Sequence, residues 1–525
     1  MSKSIPIIEL DSSQLAGLLQ RIQSQVDVED FQLIEQLIGS LEQLLELIDK
    51  GRLSIQRLRQ MLFGSRSEKT NTIRGTKSDP KRKPDKPPGH GRKGAKDYLS
   101  AQQVSLSIAG LNPKDPCPEC EQGKLYAMKP GVLIRIKGQP LFPATLYEQQ
   151  KLRCNLCSHI VSASLPPDVG EAKYDEQVGP LIGLLRYGAG MPLYRLEKLQ
   201  ASFGVPMPAS TQWELVQQCA DNFLPVYQAL IVQAAQDHIL YNDDTSMKVL
   251  ELHQESPPPD QEKPDPKERT GVFTTGIISE TTDRRIALFF TGHKHAGENL
   301  DAVLAHRQAQ LPAPIQMCDG LSRNWPKNAR TIRSQCILHG RRKFVEIFEN
   351  FAQPCSHLLE SLKKLYRHEA HTKKMAMNPA QRLSYHKRHS QSLMDALHNW
   401  MQQELDQKKV EPNSGLGQAC KYMLKRWEPM TLFLRQPGAA LDNNICERCL
   451  KMAILHRKNS MFYKTLNGAK VGDLFMSLIH TCSHNGVNPL EYFTQLQKNT
   501  EAVRKQPDRW LPWNYQENLE APNTS

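Results

Sequence analysis

The first regular hydrophobic pattern of the chain runs from Asp30 to Leu62. Apolar residues recur there every seven positions over four heptads, and a second apolar series, interrupted only by Gly51, follows three positions later. The two series are Ile34, Leu41, Ile48, Ile55 and Leu62, and Leu37, Leu44 and Leu58. A seam of this period is typical of a coiled coil, so we predict a homodimer or a higher oligomer. An amphipathic helix that folds back onto its own domain is the alternative.

A helical pattern follows between Tyr174 and Gln233. Residues 192–203 predict one helix, residues 204–206 a turn, and Ser210 or Thr211 the cap of a second helix. Two helices joined by a glycine-containing turn resemble a helix-turn-helix, which places its second helix in the major groove of DNA. Any two packed helices give the same pattern, so DNA reading and plain helix packing both remain open.

The pattern after residue 237 is that of strands. The predicted elements are, in order, strands over 238–252, 271–278 and 285–291, a helix over 295–307, a strand over 314–319, a short helix without assigned bounds, and a strand over 334–338. This is the order of an RNase H-like α/β fold. Helical patterns over 358–375, 381–405 and 416–434 then predict a helical insertion.

Charge favours a polyanionic partner for the chain as a whole. The 67 Lys and Arg residues outnumber the 55 Asp and Glu residues, which gives a net charge of +12. Residues 65–96 concentrate this excess, with eleven cationic and three acidic residues among four prolines and four glycines. Such a segment buries no core, so we predict a flexible cationic linker that can also lie along phosphates.

The distribution of apolar residues gives no sign of a membrane span or a signal peptide. No stretch approaches the ~20 apolar residues of a membrane span, and the N-terminus lacks the charged and apolar regions of a signal peptide. We therefore expect no membrane partner and an intracellular, cytoplasmic protein. Thiols stay reduced in that compartment, so the twelve cysteines are interpreted as metal ligands or buried apolar groups.

Two CxxC pairs indicate one structural zinc ion. Cys117 and Cys120 form the first pair, and Cys154 and Cys157 form the second after 33 intervening residues. Each pair places two thiolates on one knuckle, and four thiolates complete a tetrahedral site of zinc-ribbon type. Because such a site has no open coordination position, the predicted Zn²⁺ is structural. Four unrelated thiols, or a redox pair, are the alternative.

Three carboxylates occupy comparable places in the predicted core. Asp243 lies in the first strand, Asp319 ends the fourth strand, which neighbours the first in this fold, and Glu447 lies in a later helix. Carboxylate oxygens suit Mg²⁺ or Mn²⁺, and two such ions activate a nucleophile and stabilise a leaving oxygen in phosphoryl transfer. Each acid also has a structural interpretation: a turn at 242–244, a turn at 319–320, and a capping box if Asn444 caps its helix.

Several blocks resemble the transposases of the insertion sequence sixty-six family. The resemblance spans residues 62 to about 495 in order, and the blocks are Leu62–Glu68, the CxxC pairs, Pro192–Arg195, Asp243–Thr245, Cys336–Phe344, Asp442–Arg448, His456–Asn459 and Asn488–Tyr492. The resemblance implies that Asp243, Asp319 and Glu447 are a DDE triad. Asp244 replaces a family Glu beside the first acid, so Asp244 is a further candidate metal ligand. The sequence around Asp319 also departs from the family's Asp-Gly-Tyr pattern.

Cations near the triad are candidates for binding the phosphates that flank the scissile bond, although a solvated helix face is the alternative. They are Arg341, Arg342, Lys343, Arg448, Arg457 and Lys458. His339 is a candidate for orienting a phosphate or water, or is a packed histidine. The 128 positions between Asp319 and Glu447 exceed what the bare fold requires, which agrees with a helical insertion beside the site.

The predicted fold class is multidomain α+β. The predicted domains are an N-terminal helical, coiled-coil region (1–63), a basic linker (64–100), a four-cysteine zinc-binding domain (101–168), a helix-turn-helix-like domain (169–236), an RNase H-like core (237–350), a helical insertion (351–440), the catalytic and C-terminal helices (441–496) and a C-terminal tail (497–525).

The predicted function is that of a metal-dependent DNA transposase. It would bind the terminal inverted repeats of an insertion sequence, cleave a strand at each end and join it to target DNA. The resemblance also implies accessory proteins of the same element. A non-catalytic zinc-containing DNA-binding protein, such as a repressor or an inactive relative, is the alternative, and a nuclease that cuts without joining is a second one.

Overall fold

The computed structural model describes residues 172–252 and 270–520 continuously, parts of 104–170, and a few positions between 21 and 34. The chain divides into two compact units, residues 1–79 and 80–525. Apart from three helical positions, the predicted coiled coil lies outside the described residues, and so does the basic linker. Both therefore stay predictions.

A mixed five-stranded sheet forms the centre of the second unit. Strands β1 (Lys151–Arg153) and β2 (Ile160–Ser162) form a separate hairpin, and the strands of the sheet are β3 (Ile239–Ser246), β4 (Phe273–Glu280), β5 (Arg285–Gly292), β6 (Ile315–Cys318) and β7 (Ile332–Gln335). They lie in the order β5-β4-β3-β6-β7. Strands β3, β4 and β5 pair antiparallel, whereas β6 is parallel to β3 and β7 is parallel to β6.

The predicted order of strands and helices in the core is confirmed, with two corrections to strand bounds. The first strand ends at Ser246, because the chain then turns so that the Leu250 N–H bonds to the Tyr463 carbonyl. The last strand covers 332–335 rather than 334–338. The Ile337 N–H bonds to the Leu441 carbonyl, outside the sheet, and a helix begins at that residue.

Fifteen α-helices lie within the described residues. They are α1 (Val178–Gly183), α2 (Leu193–Ser202), α3 (Ala209–Gln236), α4 (Ala296–Leu304), α5 (Ile337–Glu346), α6 (Ala352–Lys374), α7 (Pro379–His389), α8 (Gln391–Asp406), α9 (Gly415–Lys425), α10 (Trp427–Met430), α11 (Asn444–Ser460), α12 (Leu466–His484), α13 (Pro489–Lys498), α14 (Thr500–Lys505) and α15 (Tyr515–Glu520). A π-helical turn, Leu184–Gly188, continues α1. None of the described helices is long and apolar enough to cross a membrane.

The predicted helix-turn-helix segment contributes to the core of the sheet. Helix α3 starts at Ala209 after Pro208, so neither Ser210 nor Thr211 caps it, which corrects the predicted cap. Val216, Phe223 and Leu230 on this helix are fully buried in one hydrophobic cluster with the sheet and α12. Residues 169–236 therefore share a core with the strands, and DNA reading by this segment stays a prediction.

The last helices also pack against this core. Val503, Trp510, Leu511 and Tyr515 are buried in the same cluster, and the Tyr492 hydroxyl donates to the Trp510 carbonyl at 2.6 Å. The segment after residue 497, predicted as a tail, is thus an ordered part of the fold at least to Tyr515. Burial of four large apolar side chains stabilises such a segment by several kcal/mol, at about 1.5–3 kcal/mol each.

Helices α6 to α10 build a second hydrophobic cluster, with residues such as Leu358, Met394 and Met423 fully buried. A buried carboxylate, Glu369, links α6 to α7. Burial by itself would raise its pKa, but the hydrogen bond from His386 and the charges of Arg382 and Lys373 outweigh burial and lower the pKa to about 2. The predicted helix over 381–405 is two helices, since α7 ends at His389 and α8 begins at Gln391.

Gly276 sets the distance between the sheet and α11. An added Cβ would lie 3.1 Å from Leu450 Cδ2 and 3.5 Å from Cys446 Sγ, both on α11. The Cys446 thiol also donates to the Gly276 carbonyl at 3.3 Å. The absence of a side chain at this one position therefore lets α11 rest directly on β4.

We expect Gly276→Val to lower the free energy of unfolding by about 1–3 kcal/mol, because its methyl groups overpack the contact with α11. Differential scanning calorimetry would record this as a lower midpoint. Gly292→Val on β5 is the matched control, since nothing lies within 4 Å of a Cβ there. Equal midpoints for the two variants would contradict the tight contact at Gly276.

Candidate metal-binding active site

Two of the predicted acids are neighbours in one row across the sheet. The parallel register pairs Tyr241 on β3 with Met317 on β6. If this register is continued for two residues, Asp243 falls opposite Asp319, which directly follows the last residue of β6. Antiparallel pairing puts Gly276 on the other side of Asp243. Since residues opposite one another share a face of the sheet, both carboxylates project from the same face.

Helix α11 brings the third acid to that face. Its first turn carries Glu447, and its contact with Gly276 lies beside Asp243. The Asn443 side chain, just before the helix, donates to the Asn242 carbonyl on β3 at 3.2 Å. Because Asn443 is the residue before the helix and makes no capping hydrogen bond, Glu447 is not part of a capping box. The capping-box interpretation is therefore wrong.

The charges of these acids affect one another. Burial raises the pKa of Asp243 to about 7, and the negative charges of Asp319, Asp244 and Glu447 add to the rise. The Asp244 N–H, which donates to Asp243 Oδ1 at 2.9 Å, opposes it. Three partly buried carboxylates repel one another unless a proton or a cation neutralises them, and their hard oxygen atoms match Mg²⁺ or Mn²⁺.

A buried polar network holds Asp319 in place. The Asn324 side chain donates to Asp319 Oδ1 at 2.6 Å, and the Leu321 N–H donates to the same oxygen at 2.9 Å. Gln316 and Asn242 both donate to the Asn324 carbonyl at 2.8 Å, so the loop after β6 is tied to β3. The sequence analysis missed Asn324, because an Asn five residues after an Asp has no recognisable spacing signal.

Gly320 makes the turn that follows Asp319. Its φ of +83° lies in the left-handed region, where glycine is favoured, and a Cβ would meet the Gln335 side chain at 2.6 Å. The turn interpretation of Asp319–Gly320 is thus correct, but it does not remove the carboxylate from the site, since both of its hydrogen bonds fall on Oδ1. The turn predicted at 242–244 is wrong, because these residues lie inside β3.

Asp244 belongs to a different environment from Asp243. Adjacent residues of a strand point to opposite faces, and the Asp244 side chain, which is 1% exposed, pairs with His295 Nδ1 and the Arg323 guanidinium at 3.1 Å each. Phe273 packs against both partners. Of the two neighbouring acids, Asp243 is therefore the one that faces Asp319 and Glu447.

His339 and Cys336 border the site from the β7–α5 connection. A ligand atom of each and a carboxylate oxygen of Glu447 lie within 4.8 Å of one another. His339 Nδ1 is buried and has no hydrogen-bond partner among the described residues. Burial raises the pKa of Cys336 to about 12, so this thiol is neutral at physiological pH. His339 is thus available to a ligand at the triad.

The candidate phosphate-binding cations differ in their surroundings. On α5, Arg341 and Arg342 are half-buried, and the exposed Lys343 lies 3.6 Å from Glu346. Two of the three on α11, Arg448 and Lys458, are exposed. Arg457 instead donates to the Ser246 carbonyl and, at 2.7 Å, to its hydroxyl, which ties α11 to the end of β3. Arg457 therefore has a positioning contact that the sequence did not reveal.

The second CxxC pair lies at the tip of the β1–β2 hairpin, where Cys154 and Cys157 are exposed. Cys117 and Cys120 lie outside the described residues, but the chain on either side of them pairs antiparallel through Pro116 and Lys124. The second pair thus occupies a hairpin end, as in a zinc ribbon. Joint zinc binding by the four thiols stays a prediction.

Stability without magnesium should depend on the titration of Asp243. Its pKa of about 7 exceeds the usual 3.8, so its contribution to stability is full below pH 3.8 and is lost as the pH rises to about 7. We expect Asp243→Asn to weaken this pH dependence and to raise the thermal midpoint at pH ~8 in magnesium-free buffer. Midpoints measured across this range test the expectation.

The control for this measurement is Asp283→Asn in the exposed turn between β4 and β5. It should leave the pH profile of the midpoint unchanged. A profile of the Asp243→Asn chain that runs parallel to that of the unmodified chain would contradict the proposed crowding of charge.

Comparisons with known proteins give relatives of the chain and its family. An uncharacterized protein of Sinorhizobium fredii (strain NBRC 101917 / NGR234), y4jD, is 23% identical over 92% of this chain and 97% of its own length. A second protein of that strain, uncharacterized protein y4hP, is 22% identical over 96% of this chain and 88% of its own length. The family model "Transposase IS66 family" matches residues 175–471, more than half of the chain. The chain therefore belongs to the IS66 family of transposases.

Proposed function

We propose that this protein is a DDE-type DNA transposase that cleaves the ends of an insertion sequence and joins them to target DNA. The observation that supports the proposal most directly is the convergence of Asp243, Asp319 and Glu447, which come from a strand, a strand end and a helix. Burial raises the pKa of Asp243, and the charges of Asp319 and Glu447 add to the rise. Membership of the transposase family supports the same reaction class.

The proposed core is RNase H-like. Three antiparallel strands followed by two parallel strands, in the order β5-β4-β3-β6-β7, support this assignment. The acids lie on the central strand β3, at the end of its parallel neighbour β6, and on α11, which packs on β3 and β4. The helical insertion between β7 and α11 would then be an addition to this core.

Asp243, Asp319 and Glu447 would hold two Mg²⁺ or Mn²⁺ ions, with His339 next to Glu447. Bound divalent ions supply activation of the attacking hydroxyl and stabilisation of the leaving oxygen in phosphoryl transfer. The role of the protein is to fix the acids. Asn324 orients Asp319, Gly276 admits α11, and Arg457 fastens α11 to the end of β3.

DNA would approach the site along its cationic rim. Arg448 and Lys458 on α11 are exposed, as is Lys343 on α5, and Arg341 and Arg342 lie beside Lys343. Guanidinium groups bind two phosphate oxygens at once, and such contacts position a duplex without reading its sequence. Arg457 would act on DNA indirectly, through its contact with Ser246.

The remaining regions would recognise the ends and assemble the protein. One structural Zn²⁺ on Cys117, Cys120, Cys154 and Cys157 would fold the domain that precedes the core, and the 30–62 segment would form a homodimer or higher oligomer. Both would act with the terminal inverted repeats and accessory proteins of the element. The protein would work in the bacterial cytoplasm, on the nucleoid.

Asp319→Asn should abolish cleavage of a duplex that carries an element end, in the presence of Mg²⁺. We expect a loss larger than the 10- to 100-fold that removal of an outer-shell partner typically costs, with DNA binding retained. Strand cleavage on denaturing gels and binding by gel shift measure the two effects. Asp283→Asn, in an exposed turn, is the control and should cleave at the unmodified rate.

Two outcomes would favour another function. If the unmodified and Asp319→Asn chains bind the end equally and neither cleaves it, the protein is a non-catalytic DNA-binding protein. If the unmodified chain cleaves but yields no joined product with a target plasmid, it is a nuclease.

Asp243→Asn and Asp244→Asn should separate catalysis from stability at adjacent positions. Loss of the Asp243 carboxylate should abolish cleavage. Asp244→Asn removes the ion pair with Arg323 and alters the hydrogen-bond contact with His295, and should lower the thermal midpoint. Its cleavage at 20 °C should fall less than about tenfold. The opposite result, with cleavage lost only in Asp244→Asn, would show that Asp244 is the metal ligand.

A further inference from the structure

A second cluster of ligand-type side chains lies on the far side of α11. Cys449 follows Glu447 by two residues, which is about 200° around a helix of 3.6 residues per turn. It therefore faces α12 rather than the sheet acids. His480 and His484 on α12 lie opposite Cys449, and one ligand atom from each of the three lies within 4.8 Å of the other two.

The distances within the cluster suit a small metal centre. Cys449 Sγ lies 3.2 Å from His484 Nε2, in hydrogen-bond contact. His480 Nε2 is buried and has no hydrogen-bond partner among the described residues. Burial of a ring nitrogen without a hydrogen-bond partner raises the free energy of the folded state. A ligand that binds this atom would therefore stabilise the fold.

The backbone around the cluster is already fixed. His480 and His484 are four residues apart on one helix, a spacing that puts two imidazoles on one face and that zinc-binding helices use. Helix α12 is buried along almost its whole length against β5 and α3. Cys449 is 3% exposed on α11, which Gly276 holds against the sheet. Ligand capture would therefore need side-chain adjustment only.

The protonation states of the histidines favour coordination. Burial, with a contribution from His484, lowers the pKa of His480 to about 4. Burial and the charges of Arg285 and Arg448 lower the pKa of His484, against the opposing charge of Glu280. Both rings are thus neutral at physiological pH and keep a lone pair for a metal ion. Burial raises the pKa of the Cys449 thiol to about 11, so coordination must release its proton.

We propose that Cys449, His480 and His484 bind one borderline-soft divalent cation of the zinc class. On binding, the Cys449 thiol loses its proton to solvent and forms a sulfur–metal bond, and the two imidazoles donate nitrogen lone pairs. The fourth position of a tetrahedral ion remains for water. The bound ion cross-links α11 to α12 behind Glu447. This inference does not depend on the proposed DNA chemistry.

Ligand type separates this site from the triad. Thiolate and imidazole select zinc-like ions, whereas carboxylates select magnesium-like ions, so the two sites would not compete for the same metal. A thiol–imidazole hydrogen bond without any metal is the competing explanation of the short Cys449–His484 contact. The two explanations predict different metal contents.

The test is the zinc content of the full-length chain after dialysis, measured by mass spectrometry. We expect Cys449→Ser and His484→Gln each to lose about one zinc ion per chain relative to the unmodified protein. Cys482→Ser is the matched control, because it removes a fully buried thiol that lies outside the cluster, on α12, the helix that carries His480 and His484. It should keep all the zinc. Circular dichroism checks that each variant is folded.

A second measurement removes the contribution of the CxxC thiols. In a chain that carries Cys117→Ser, Cys120→Ser, Cys154→Ser and Cys157→Ser, Co²⁺ should produce a near-ultraviolet thiolate-to-cobalt band that disappears when Cys449→Ser is added. The proposal is overturned if zinc content is the same in the Cys449→Ser, His484→Gln and unmodified chains. It is equally overturned if the cobalt band in this background survives Cys449→Ser.

Discussion

Mutual repulsion of the carboxylates of Asp243, Asp319 and Glu447 is the constraint around which the core is organised. Burial, and after it the charges of Asp319, Asp244 and Glu447, raise the pKa of Asp243 to about 7. Nothing local to the acids favours their approach. The β3–β6 register, the lack of a side chain at Gly276 and the Asn443 hydrogen bond to β3 hold the three carboxylates close together. The free energy of the surrounding core offsets the cost of this arrangement.

The helical insertion takes part in that enforcement. Tyr366 on α6 donates to Asp442 Oδ2 at 2.9 Å, directly before α11, and Arg382 on α7 donates to the Ala439 carbonyl at 2.7 Å. Arg382 is itself held by Glu369, whose low pKa reflects a firmly paired charge. The insertion therefore fixes the entry of α11, and through it the position of Glu447. The insertion thus contributes hydrogen bonds to the segment that leads into α11, although Asp319 and Glu447 are far apart in sequence.

The parts of this arrangement that the sequence predicted are those with a local periodic signal. Alternation of apolar residues located the strands, and strand order with acids at defined places brought Asp243 and Asp319 together. What the sequence did not reveal depends on contacts between distant segments. Three such contacts form only when the loop after β6, strand β4 and helix α11 come together in the folded chain. They are the Asn324 hydrogen bond to Asp319, the close approach of α11 to Gly276, and the Arg457–Ser246 hydrogen bond.

The errors in the sequence-based predictions have the same physical origin. A Ser or Thr before an apolar run usually caps a helix, but α3 already begins at Ala209, with Pro208 as the residue before it, so Ser210 and Thr211 lie inside the first turn. The last strand was placed two residues late because the apolar pair Ile337–Leu338 fits a strand as well as a first helical turn. Hydrogen bonding of the Ile337 N–H to Leu441, far along the chain, decides between them.

Helix α11 joins two kinds of chemistry that its sequence presents side by side. Glu447 faces hard oxygen donors on the sheet, and Cys449 faces nitrogen donors on α12. A helix pinned from one side only could tilt about its contact with Gly276, and a tilt moves Glu447 relative to Asp243. A cross-link between Cys449 and α12 would oppose that motion from the opposite face. Rigid support on both faces is what a site that crowds three negative charges requires, because each displacement that relieves the repulsion also disperses the ligands.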